Sequence, residues 1–95
     1  MYRVQEITSY SKDDVAKEIG LITGIPNEIY FCSLSRSSAV YVECLEDNSW
    51  IAWRESYATN TSKLKSYKVI ANGNFELAIA RTKNYLKFMK QINKK

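Results

Sequence analysis

The chain has 95 residues, 45% of them hydrophobic and 25% charged, with a formal net charge of +4 and no histidine. These values describe an ordinary globular chain with one core and exclude a collagen-like or wholly disordered one. No run approaches the roughly 20 apolar residues that span a bilayer, and no apolar stretch follows a basic start, so a soluble cytoplasmic protein without a membrane partner is expected.

Taken in chain order, residues 2–7 alternate apolar and polar and predict a short edge strand. Ser11 then suits a helix N-cap, and Asp13 and Asp14 favour the positive helix terminus. Tyr10 and Val15 occupy the positions of a hydrophobic staple. Val15, Ile19 and Ile22 share one helical face, and Gly24 and Pro26 close the segment, which predicts a first helix over about 12–22.

The middle reads as β. Ile29–Leu34, Val40–Leu45 and Trp50–Glu55 are rich in β-branched and aromatic residues, separated by polar turns at Ser35–Ser38 and Glu46–Ser49. Residues 57–63 form a polar loop, and Leu64–Ala71 alternates as a fourth strand. Asn72-Gly73-Asn74 is both a turn and a helix start. Over 75–92, Phe75, Ala78, Thr82, Tyr85, Leu86, Met89 and Ile92 fall on one helical face, and residues 92–95 should fray. The expected architecture is a single α+β domain. It has a small antiparallel meander of three to four strands, with an N-terminal helix and a longer C-terminal amphipathic helix packed on one face.

Chemistry-bearing constellations are sparse. Proton transfer near neutral pH usually relies on histidine or on tuned, converging carboxylates. Asp13 and Asp14 project about 100° apart on a helix and do not converge. Cys32 and Cys44 lack partners for a zinc set and a base for nucleophilic attack. They would face each other only if the 29–45 hairpin turned near Ser37 and Ser38, and otherwise read as small buried hydrophobes in a reducing compartment. Glu43, Glu46, Asp47 and Glu55 surround the second turn and read as solvated charges. No catalytic residue, metal or cofactor is expected.

The charge is unevenly spread. Residues 1–56 hold five basic and nine acidic side chains, whereas residues 57–95 hold nine basic and one acidic. Lys83, Lys87, Lys90 and Lys94 repeat at helical spacing and form a stripe away from the apolar face. Arg81, Lys63, Lys65 and Lys68 add to it. Such a stripe suits phosphate contacts, which position a nucleic acid without reading its sequence. Trp50 and Trp53 are three apart, so a strand sends them to opposite faces, one into the core and one onto the open face beside Tyr41 or Arg54. An exposed tryptophan near arginine can stack on a base or anchor a protein interface.

The order helix, three strands, helix resembles double-stranded-RNA-binding domains, although Asn74, Phe75 and Glu76 stand where those domains cluster basic residues. Trp50-Ile51-Ala52 followed by Gly73-Asn74-Phe75 resembles AP2 domains, and the first-strand signature of that family is missing. Neither resemblance assigns a role to a residue. The expectation is therefore a non-enzymatic binding protein contacting nucleic acid, or another anionic surface, through its basic C-terminal third. The alternative is a protein-binding inhibitor or adaptor of phage or mobile-element type, for example an anti-defence protein. It would act on a partner protein or a nucleic-acid-bound complex, and a homodimer fits either.

Overall fold

The computed structural model of the protein describes residues 11–57 and 64–93, so the strand expected at 2–7 lies outside the described residues. The elements run α1 (Lys12–Glu18), β1 (Ile22–Ile25), β2 (Ile29–Ser35), β3 (Ser38–Cys44), β4 (Trp50–Tyr57), β5 (Leu64–Gly73) and α2 (Phe75–Asn93). The strands form one antiparallel meander in the order β1-β2-β3-β4-β5. The sheet therefore has five strands, where three to four were expected.

The extra strand, β1, begins at Ile22, the last residue of the expected first helix, and continues through the segment up to Ile25. Ser11 caps α1 by accepting from the Asp14 backbone N–H at 3.1 Å. The helix ends early because Gly20 adopts φ +97°, a conformation that L side chains rarely take. The Leu21 N–H then returns to the Ala16 carbonyl, and the Gly20 N–H to the Lys17 carbonyl, which is the Schellman pattern of helix ends. This releases Ile22 into β1. Asn27, at φ 64°, turns the chain into β2.

The core lies between the sheet and the helices. Alternation along the strands sends Tyr30, Val40, Val42, Trp50, Ala52 and Ala71 inward, where Phe75, Ala78 and Ile79 of α2 and Ala16 of α1 meet most of them. Trp50 stacks 6.1 Å from Tyr30, and Phe75 meets it edge-on at 4.8 Å. At about 25 cal/mol per Å² and about 200 Å² per ring, each contributes on the order of 5 kcal/mol before entropy is counted. Asn74 begins α2, its side-chain oxygen accepting from the Leu77 N–H at 2.8 Å.

The β2–β3 register sets Cys32 opposite Val40 rather than opposite Cys44, and both cysteines are free. A bulge between Ser33 and Ser35 contributes to this offset. No helix among the described residues is long and apolar enough to cross a membrane.

Candidate functional site

Both helices join the core on one face of the sheet, but they do not cover all of it. α2 lies chiefly over β5 and β4, with a lighter contact on β3, while α1 packs beside β1. The far end of β2 lies between them. A groove of about 690 Å³ opens there, with Cys32 and Leu34 of β2 among its lining residues. Leu86 and Met89 of α2 form one wall, and Ile19 and Gly20 after α1 form the other. The volume falls within the range of small-ligand pockets.

Three lysines edge this groove. Lys83, Lys87 and Lys90 line it from the α2 side and are exposed, and Glu18 faces them from α1. Their spacing of four and then three residues keeps them on one flank and spreads them over about 10 Å of helix. Lys94 continues the same spacing but lies outside the described residues, as does Lys63. Lys65 falls in β5, and its side chain is also outside them.

Arg81 and Lys68 are not part of this flank. They line a second, smaller depression of about 370 Å³ on the opposite side of α2, beside Tyr85 and Phe88. The reason is helical geometry: two residues, about 200°, separate Arg81 from Lys83. The Lys68 ammonium stands 5.7 Å from the Tyr85 ring centre, within reach of a cation–π contact. The basic third of the chain thus has two flanks.

The aromatic candidates divide by strand parity. Trp50 is buried in the core at 4% exposure. Arg54 has the same parity and points under α2, where it donates to the Tyr85 hydroxyl at 2.8 Å and approaches the Met89 sulfur at 4.0 Å. Neither belongs to the open face, so the expected pairing of an exposed tryptophan with Arg54 is corrected. Trp53 and Tyr41 do lie there, with rings stacked 5.2 Å apart.

Sequence reasoning missed how far this stacking extends. Phe31, Tyr41, Trp53 and Tyr67 come from four adjacent strands and form a row, with ring separations of 6.5, 5.2 and 6.2 Å. Ile22 on β1 and Val69 on β5, both about half exposed, border it. The signal was the cross-strand register, which places Phe31 opposite Tyr41 and Tyr41 opposite Trp53. Glu55 lies on the same face and accepts from the Trp53 indole N–H at 2.9 Å and from the Tyr57 hydroxyl. Those bonds to Glu55 and to Tyr41 push the Tyr57 hydroxyl pKa well above the ordinary tyrosine range.

The acidic residues near the second turn do not converge. Asp47 accepts from the Ser49 N–H and hydroxyl at 3.0 and 2.6 Å, which pulls its carboxyl below the usual range. Among the described residues, no three Cys, Asp or Glu side chains are grouped to hold a metal ion. Burial raises the Cys32 thiol above its ordinary pKa. The arrangement can therefore offer cations beside an apolar groove on one side of the molecule, and a flat aromatic row on the other. No protein-family model, curated protein or solved structure matches the chain.

Proposed function

We propose that the chain is a non-enzymatic binding protein that holds an anionic partner along the Lys83–Lys87–Lys90 flank of α2. One observation carries this: three exposed ammonium groups line the same side of one open groove, where Glu18 is the one carboxylate among the described lining residues. A nucleic acid would meet this flank through phosphates alone. The partly exposed aromatic row lies on the opposite face of the sheet, so one strand cannot both stack on Trp53 and follow the lysines. Lys68 and Arg81 would serve a partner broad enough to cross α2. Lys63, Lys65 and Lys94 would extend the field around it.

Fluorescence anisotropy with labelled duplex DNA, single-stranded RNA and polyglutamate tests the proposal. Binding should weaken steeply between about 50 and 200 mM salt, and K83Q/K87Q/K90Q should weaken it at least tenfold. No binding of any of the three polyanions at low salt would overturn it.

The aromatic row supports a second function, that of a cytoplasmic protein-binding inhibitor or adaptor of the kind phages and mobile elements carry. The Phe31–Tyr41–Trp53–Tyr67 row, stacked from Tyr41 to Tyr67 and tilted at Phe31, supplies the large, rigid, amphipathic groups enriched at protein interfaces.

A further inference from the structure

Resting on the anion-binding reading above, we infer that the partner of the Lys83–Lys87–Lys90 groove is an acidic amphipathic segment of another protein, its apolar side chains seated on Leu34, Leu86 and Met89. Two features select this chemistry. The lysines run along the groove rather than marking one end, so they match several carboxylates in a row and not the single headgroup of a lipid or fatty acid. Among the described residues the lining is aliphatic, with Ile19, Leu34, Leu86 and Met89 and no aromatic ring, so these residues offer nothing for bases to stack on. Methionine and leucine are the adaptable groups that line grooves for amphipathic helices. Glu18, across from the lysines, adds orientation: the bound segment places its acids toward α2 and a neutral or basic residue toward α1.

Cys32 reports occupancy because it lines the groove, whereas Cys44 does not and serves as an internal control. The probe is a synthetic helical peptide with leucines at i, i+3, i+4 and i+7 and glutamates along one flank. One comparison peptide replaces its leucines by serine, and another replaces its glutamates by lysine. Maleimide labelling of the full-length protein, followed by mass spectrometry, is measured at mildly alkaline pH because the Cys32 thiol is pushed up by burial. The Glu/Leu peptide should slow labelling of Cys32 at least tenfold and leave Cys44 unchanged. The serine peptide should bind at least tenfold more weakly, and the lysine peptide should give no protection. K83Q/K87Q/K90Q, altered only at exposed side chains, should lose the protection, and duplex DNA should not protect Cys32.

Equal protection by duplex DNA would overturn the inference in favour of nucleic acid. Protection that rises with protein concentration alone would overturn it in favour of a second copy. If duplex DNA binds through the three lysines and the Glu/Leu peptide gives no protection, this inference fails while the anion-binding reading stands. If no polyanion binds, both fail.

Discussion

The Tyr30 hydroxyl donates a 2.6 Å hydrogen bond to the Asp13 carboxylate and so ties the short first helix to the second strand. The Asn27 backbone N–H adds bonds to the same carboxylate at 3.1 Å and to the Tyr30 hydroxyl at 3.2 Å. The helix held this way supplies the Ile19 and Gly20 wall of the groove. Tyr30→Phe keeps the buried ring and removes the hydroxyl. Urea denaturation should show a loss of about 1.5–3 kcal/mol, the range for hydrogen bonds to charged groups.

The same residue gives a pH signature. Burial first, and then the bond to Asp13, push the Tyr30 hydroxyl well above the ordinary tyrosine pKa. Below about pH 10 the hydroxyl is protonated in both folded and unfolded chains, and its contribution is complete. Above that, the unfolded chain ionises first, so the contribution declines until pH passes the folded-state value. Stability followed from about pH 8 to pH 11 should fall less steeply in Tyr30→Phe than in the wild type.

Thr82 has no exposed surface, and its hydroxyl has no hydrogen-bond partner among the described residues. Thr82→Val preserves the branched shape and removes the unmatched polar atom. The variant should be more stable by about 1 kcal/mol in thermal or urea unfolding.

Arg54 places its Nη1 on the Tyr85 hydroxyl, and its buried Nε has no partner among the described residues. Arg54→Met retains much of the packing volume and removes a charge from beneath α2. Urea unfolding should find it within about 1 kcal/mol of wild type or more stable, since buried ions seldom outperform apolar replacements. Arg54→Ala should cost more, because it also opens a cavity.

The proposed inhibitor or adaptor role would make a separate demand on the open face. Tyr67 is 51% exposed at the end of the aromatic row, so Tyr67→Ala should change stability by less than about 1 kcal/mol. Affinity capture from the native host should lose a stoichiometric protein partner with Tyr67→Ala and retain it with K83Q/K87Q/K90Q. The reverse pattern would place a protein partner on the lysine flank instead.

Much of the fold was legible because local signals agreed. Ser11, the two hairpins and the helical period of 75–92 each became the element their chemistry indicated, whereas Asn72 and Gly73, read as a turn, continue β5 opposite Ile51 and Trp50. The first helix was read too long because Val15, Ile19 and Ile22 fit a helical period. The decisive signal was Gly20, whose left-handed backbone ends the helix before Ile22. The division of the tryptophans followed from strand parity, and the same parity would have sent Arg54 inward with Trp50. The separation of Arg81 from Lys83 was likewise present in the helical period. The groove was not legible. It depends on where α2 crosses the sheet, which is set by packing of Phe75, Ala78 and Ile79 against Trp50 and Ala52 rather than by any local pattern.

The proposed anion-binding role of the lysine flank is tested most directly by the salt dependence of affinity for duplex DNA and polyglutamate, compared between wild type and K83Q/K87Q/K90Q. Each phosphate contact contributes about 0.9 to the slope of log affinity against log salt, so three lost contacts should lower the duplex slope by up to about 2.7. Anion binding by the three lysines predicts that fall, a parallel loss of polyglutamate affinity, and unchanged unfolding midpoints. Equal slopes and equal affinities for both chains would contradict it.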